Sequence, residues 1–288
     1  MKNKIFIALL LVVVSVCGMF VFAGCSGNKD TIIVQTNAYF APFEYYKGTE
    51  IVGVDVDIMN KVGASLGKKV KFVNSEFSVV IPSVEKGKIC DAGAAGITIT
   101  EKRKEKVDFS IPYYTSVQYV IVGADSGIEL SKNSKGEDVI MWSALAGKKI
   151  GVQLDTTGHI YADIEINGDG EVGTEDYYAG ELNGTGAVCK PYDSAQLASE
   201  AIGLNIDCVI VDELPAQYIA GKNSKFKCYA LYYDEETATS EEYAICVTKG
   251  NTELLNAINK VLEDLLATVD ENGKNGVQVL VSNHFGLN

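Results

Sequence analysis

The stretch that most restricts how this chain can fold is residues 91–114, DAGAAGITITEKRKEKVDFSIPYY. Ala92, Gly93, Ala94, Ala95 and Gly96 carry so little bulk that the backbone can lie close to a neighbouring element or a guest. Ile97-Thr98-Ile99-Thr100 then alternates as a strand does and ends on a hydroxyl able to cap a helix opening at Glu101. Arg103 falls in the first turn of that helix. Free N–H groups at a helix start, the hydroxyls of Thr98 and Thr100 and a nearby guanidinium together suit a planar anion, and a carboxylate would be held by parallel bonds. Taken alone, Thr-x-x-x-x-Arg also fits an exposed cation in the charged run Glu101–Lys106.

Strand-like and helical patterns alternate along the rest of the chain. Apolar runs at 32–34, 70–73, 117–122, 187–190, 206–211 and 244–247 read as strands. Ile58, Met59, Val62 and Leu66 form an apolar stripe at helical spacing, with Asp55 and Asp57 at the helix start, where negative charge is favoured. Residues 194–204 and the amphipathic 253–268 give further helices, and the polar 125–138 reads as a surface loop. Such alternation implies an α/β architecture, with mainly parallel sheets covered by helices on both faces and ligands at the carboxyl ends of the strands. The run 206–211 delivers Asp212 to that position, where a carboxylate can either cap the following helix or face a ligand.

Lys2 and Lys4 precede an uncharged apolar run, Ile5–Phe22, long enough for a membrane span. Phe22-Ala23-Gly24-Cys25 follows, and this resembles a bacterial lipoprotein signal cleaved before Cys25; an uncleaved signal anchor is the alternative. Cleavage would remove two lysines and no acids, leaving 23 basic and 38 acidic side chains and a formal charge of −15. That balance argues against nucleic acid as a partner and against a polybasic membrane contact, so acylated Cys25 would be the lipid anchor. Cys90, Cys189, Cys208, Cys228 and Cys246 then remain, with no C-x-x-C spacing, which supports neither a zinc site nor a redox motif.

The string Gly-Ile-Thr-Ile-Thr-Glu-Lys-Arg, with Val107-Asp108-Phe109-Ser110 and Tyr113-Tyr114 after it, closely resembles the family 3 solute-binding proteins, the polar amino-acid receptors of ABC importers. The resemblance continues in Ala41-Pro42-Phe43-Glu44, in Gly53-Val54-Asp55-Val56-Asp57 and in the loop Asp155-Thr156-Thr157-Gly158. It implies a two-lobe type II periplasmic-binding-protein fold, with residues 31–115 and 244–288 in one lobe and 116–243 in the other. A signal peptide (1–24) and a linker (25–30) precede them, and crossovers lie near Tyr113–Val117 and Thr239–Tyr243. By the same resemblance Arg103 grips the ligand's α-carboxylate, helped by Gly96 and Thr98. Asp212 and Thr157 meet the ammonium, Phe40 and Phe77 flank the side chain, and Asn37, Gln153 and Thr156 complete the ligand-binding set.

The implied protein is a monomeric receptor, lipid-anchored on the outer face of the cytoplasmic membrane. It would close on a free amino acid, present it to ABC permease subunits and carry out no catalysis. The alternative is an enzyme of cyclohexadienyl-dehydratase type on the same fold, for which His159, Asp212 and Glu44 are the candidate acids and bases. Asn37 between aromatic walls leans towards a polar neutral side chain.

Residues 161–186 interrupt the resemblance with an acidic, glycine-rich insertion. Within it Glu165, Asn167, Asp169, Glu171 and Asp176 have the spacing of a twelve-residue calcium loop, with Gly170 at its sixth position, although Asn-Gly-Asp-Gly also reads as a hairpin turn. A structural calcium ion is therefore one expectation for this segment; no other cofactor is expected.

Overall fold

The computed structural model describes residues 30–286; the expected signal segment and Cys25 lie outside them. In the first half of the chain, strand β1 (Thr31–Thr36) leads into a three-stranded meander, β2 (Tyr39–Phe40), β3 (Glu44–Lys47) and β4 (Glu50–Val52). Then come helix α1 (Val54–Ser65), β5 (Lys69–Asn74), α2 (Phe77–Lys86), β6 (Ala92–Thr98), the single turn α3 (Glu101–Lys104) and β7 (Val107–Phe109). The central part holds β8 (Tyr114–Gly123), β9 (Ser131–Lys132), β10 (Asp138–Met141), β11 (Lys149–Gln153), α4 (Thr157–Asn167) and β12 (Val188–Tyr192). It continues with α5 (Ala195–Glu200), β13 (Cys208–Asp212), α6 (Glu213–Lys222) and β14 (Phe226–Tyr232). The chain returns along β15 (Ser240–Thr248) and ends in α7 (Thr252–Ala267) and α8 (Gly276–Phe285).

In one lobe β1 lies between parallel neighbours β5 and β6, and β15 lies between β6 and β7, antiparallel to both. In the other, β11 lies between parallel β12 and β13, while β8 runs antiparallel to β13 and β14. The link between them is two strands that each belong to both: the first residues of β8 and β15 pair antiparallel, Tyr114 opposite Tyr243 and Val117 opposite Ser240. The two expected crossovers are these paired segments.

Strand alternation accounts for the layering, because successive side chains leave opposite faces of a sheet. Val120, Val122, Cys208 and Ile210 point into a core with Trp142, Ile150 and Ala162, whereas Ile121, Val209 and Val211 meet the helices α5 and α6. In the first lobe α1, α7 and α8 cover one face with Ile58, Met59, Ile258, Leu262 and Val281, and α2 covers the other with Val80 and Val84. Every residue of β6 is buried between these layers, and Gly93 shows why its small residues are needed. A Cβ there would stand 2.9 Å from both Cys246 Sγ and a Val80 methyl. Cys208 and Cys246 are free thiols whose burial pushes each up to about 12.

Two expectations change. The polar segment 125–138, read as a surface loop, contains β9 and the start of β10, while the meander at residues 39–52 is an element that the apolar runs did not mark. β14, not evident from the sequence, supplies the partner of β10. The calcium loop does not form. Glu165 and Asn167 are held on α4, and the Glu165 carboxylate is buried, taking Tyr178 Oη at 2.7 Å and the Glu181 N–H at 2.8 Å. Asp169 accepts from its own neighbour Gly170, and Glu171 and Asp176 are exposed. Calcium binding needs these oxygens to converge, and helical backbone with an inward Glu165 prevents it. Among the described residues no group of three or more His, Cys, Asp or Glu side chains is placed to hold a metal ion.

Candidate ligand-binding site

The carboxyl ends of β1, β6, β11 and β13 face a narrow cavity that admits the centre of a water-sized sphere over only about 10 Å³. Nine of the ten residues expected to touch a ligand line it: Asn37, Phe40, Phe77, Gly96, Thr98, Gln153, Thr156, Thr157 and Asp212. The tenth, Arg103, adjoins them. Its guanidinium carbon is 5.3 Å from the Phe77 ring centroid, and its two terminal nitrogens donate to Thr98 O at 2.8 Å and Asp155 O at 2.9 Å. The short α3 achieves this placement because Thr100 caps it, accepting from the Arg103 N–H, and so turns the arginine inward to 8% exposure. The exposed-cation alternative for Arg103 is thereby set aside. Burial lowers its pKa, opposed by nearby acids with Glu241 foremost.

Gly96 is required twice over. Its φ of 53° lies in the left-handed region, and a Cβ would come within 2.5 Å of Phe40 Cε1. Its N–H does not face the cavity but donates to Asp55 Oδ2 at 3.0 Å. Thr98 likewise differs from the expected carboxylate donor. Its hydroxyl donates to Glu241 Oε2 at 2.5 Å and accepts from Thr157 Oγ1 at 2.7 Å, which leaves a lone pair rather than a proton for a ligand. The loop after β11 carries the one non-glycine residue with positive φ among those described, Asp155 at 62°, whose carbonyl meets Arg103. His159 braces that loop by accepting from the Asp155 N–H at 3.1 Å, and this occupies the imidazole away from any acid–base task in the cavity.

Among the described residues, and apart from the paired strands β8 and β15, four hydrogen bonds cross between the lobes: Thr157 to Thr98, Arg103 to Asp155, Gln153 Nε2 to Asn37 Oδ1 at 2.9 Å, and Gln196 Nε2 to Tyr39 O at 2.7 Å. They engage groups that would otherwise meet a guest.

The sequence reading underrated the buried acids. Glu44 is fully buried and lines the cavity; no amide, hydroxyl or cation donates to its oxygens, and its hydrogen-bonding neighbour is the Asp55 carboxyl. Burial first, and then the charge of Asp55, raises its pKa well above the usual carboxylate range. Asp55 is buried beside it. Its pKa is pushed up to about 6 by burial, against the lowering effect of the Tyr113 hydroxyl at 2.5 Å and the Gly96 N–H. Asp212 receives the Tyr243 hydroxyl, and Glu241 takes Gln118 Nε2 at 2.5 Å besides Thr98. Signals existed for two of them. Asp55 is three, four and seven residues before Ile58, Met59 and Val62 on the buried stripe of α1, and Glu241 shares a strand face with buried Tyr243. Nothing local marks Glu44.

Comparison with known proteins gives a consistent set of similarities. The family model described as bacterial extracellular solute-binding proteins, family 3, matches residues 32–271. The arginine-binding extracellular protein ArtP of Bacillus subtilis (strain 168) is 34% identical over 137 residues, 45% of this chain and about half (53%) of that protein's length. A probable histidine-binding protein of Neisseria gonorrhoeae is 28% identical over 90% of this chain and 89% of its own. Among solved structures, the arginine-bound form of truncated ArgBP from T. maritima superposes with a TM-score of 0.63 at 32% identity, covering 82% of this chain and 96% of that one.

Proposed function

The chain belongs to the bacterial extracellular solute-binding proteins of family 3, and on that footing we propose that it is the receptor component of an ABC importer that captures a free amino acid with a cationic side chain. The observation that carries the side-chain assignment is Glu44, a buried carboxyl at the wall of the cavity that meets only another carboxyl, Asp55, with no amide, hydroxyl or cation donating to its oxygens. A buried carboxyl in that condition is costly unless a donor arrives, and a guanidinium, ammonium or imidazolium supplies one with the right charge. The arginine and histidine named for the similar proteins are cations of this class.

In this reading the two lobes close on a zwitterion. Arg103, with N–H donors left over from its carbonyl contacts, takes the α-carboxylate. Asp212, presented by the other lobe at the end of β13, takes the ammonium together with the lone pair of Thr98. Phe40 and Phe77 cover the aliphatic stem, and Asn37 and Gln153, joined across the cleft, border the side chain. Anion and cation grips on separate lobes make the ligand favour the closed form over the open one. No bond is made or broken. Anchoring through Cys25, presentation to permease subunits and a monomeric state belong to the same proposal.

Calorimetric titration with the twenty amino acids and ornithine tests it. Arginine, lysine, ornithine or histidine should bind most tightly. Tighter binding of a neutral amino acid than of all four would overturn the side-chain assignment, and binding of none would overturn the receptor reading.

A further inference from the structure

Behind the ligand cradle two carboxyl groups converge from different elements, Asp212 at the end of β13 and Glu241 near the start of β15. Both are buried, 4% and 5% exposed. Tyr243 donates its hydroxyl to Asp212 Oδ2, and Glu241 is held from two sides by Thr98 Oγ1 and Gln118 Nε2, each at 2.5 Å. The charged and titratable groups facing this pair are Arg103 from α3, Glu44 from β3, Tyr243 from β15 and Tyr161 from α4, with neutral Thr98 from β6 and Gln118 from β8. Arg103 directs its terminal nitrogens to backbone carbonyls. The tyrosines are neutral donors at ordinary pH, because burial raises Tyr243 well above its usual range and Tyr161 to about 12.

Two carboxyl groups sharing a dry site do not both ionise when the one nearby cation, Arg103, spends its terminal nitrogens on backbone carbonyls. We propose that in the ligand-free protein Asp212 and Glu241 share one proton and that the ammonium group of the incoming amino acid displaces it. The charge balance closes: one ammonium enters, one proton leaves from the carboxylic O–H to a base in solution, and no other bond changes. Glu241 acts as a positioning residue. Once ionised it holds the Thr98 proton, so that Thr98 can only accept, and the ammonium meets Asp212 and that lone pair together. This rests on the proposed amino-acid reading, in which the ammonium meets Asp212.

Burial, and after it the charge of Asp212, holds the Glu241 carboxyl well above the usual range in the empty site. A cation beside it lowers that value. Binding therefore releases a proton between the bound-state and free-state values. Affinity rises with pH in that window, by up to roughly tenfold per unit, and levels off above it.

The test is calorimetric titration with L-arginine from pH 5.5 to 8 in pairs of buffers of different ionisation enthalpy, which counts the protons released. If L-arginine does not bind, the amino acid that binds most tightly replaces it as the probe. The parent should release protons, and Glu241→Gln should release fewer by up to one and show a flatter pH profile. Its amide can still accept from Thr98 if Gln118 turns over, and the Gln118 oxygen is unpartnered and able to accept in return. Gln118→Met is the second variant, should Glu241→Gln not fold. By removing a donor to Glu241 it should move proton release to higher pH. Equal proton counts and pH slopes in parent and Glu241→Gln, an unmoved profile in Gln118→Met, or no release by the parent would overturn the inference while leaving the receptor reading intact. If no amino acid binds the parent, both fall.

Discussion

Replacing Glu44 by Gln should weaken capture of L-arginine without a matching loss for L-citrulline, the neutral analogue of the same length. The parent's buried carboxyl meets only the carboxyl of Asp55 within the protein, so the ligand's guanidinium would be its cationic donor. A hydrogen bond to a buried charged group contributes about 1.5–3 kcal/mol, so arginine affinity should fall by about 10- to 150-fold in the variant. Citrulline has no charge to lose and should change by no more than about threefold. The empty protein supplies a second readout. The folded-state pKa values of Glu44 and Asp55 are raised, so their contribution to stability is greatest below the unfolded carboxyl range and is lost as pH rises through the folded values. For Asp55, pushed up to about 6 from 3.8, the loss by slightly alkaline pH is about 3 kcal/mol. Glu44→Gln removes the larger-shifted partner, so thermal stability should decline less steeply between pH 5 and 8. Calorimetry with both ligands and melting curves across pH measure the two effects. Undiminished arginine affinity, or equal losses for arginine and citrulline, would refute the assignment of Glu44.

Arg103→Ala should behave in the opposite manner, lowering affinity for arginine and citrulline alike by at least about 100-fold, because the shared α-carboxylate loses its grip; unchanged binding of either ligand would show that the carboxylate sits elsewhere. Gly96→Ala should cost about 1–3 kcal/mol in chemical denaturation, since the left-handed φ is strained for alanine and its Cβ meets Phe40 at 2.5 Å; denaturation at the parent's midpoint would contradict that packing. Calcium at about 5 mM should leave the melting temperature of chelator-treated protein unchanged, given the inward Glu165; a rise of several degrees would restore the calcium loop.

Much of the fold was legible because its signals are local. The apolar runs that became β1, β5, β8 and β13 each lie within a few residues of where sequence patterning puts them, and the stripe of α1 is continuous with its buried face. The site was legible where one string carries both backbone and side-chain chemistry: Thr98 and Arg103 share β6 and the turn after it, and Asp212 ends an unmistakable buried strand. β14 was not, because Phe226–Tyr232 mixes half-buried apolar residues with a lysine and takes its identity from pairing with β8 and β10, both distant in sequence. The same holds for hydrogen-bond direction. Nothing in Gly-Ile-Thr says that the Gly96 N–H and the Thr98 proton point backwards, because the acceptors that turn them, Asp55 and Glu241, arrive from α1 and β15.

That backward direction makes sense of the acids as a group. Glu44, Asp55, Asp212 and Glu241 are buried around one small cavity with a single arginine among them. Asp55 and Glu241 draw donors away from the cradle, so the strand segment Gly96–Thr98 faces the ligand with oxygen atoms, while Glu44 and Asp212 remain for cations. The cleft is thus acceptor-rich everywhere except at Arg103, a pattern that fits one carboxylate and two positive groups. In the empty protein burial favours the protonated forms of Glu44, Asp55 and Glu241, and the four bonds across the cleft, each contributing about 0.5–1.5 kcal/mol, hold the lobes together around them. Moving such an equilibrium from mostly open to mostly closed takes about 5.5 kcal/mol of preferential binding. Two charge-assisted contacts to ligand cations and one to its carboxylate, at about 1.5–3 kcal/mol each, span that requirement, whereas a ligand with one cation fewer supplies about 3–6 kcal/mol and reaches it only at the top of that range. Selectivity and closure are therefore one property of the same carboxyl groups.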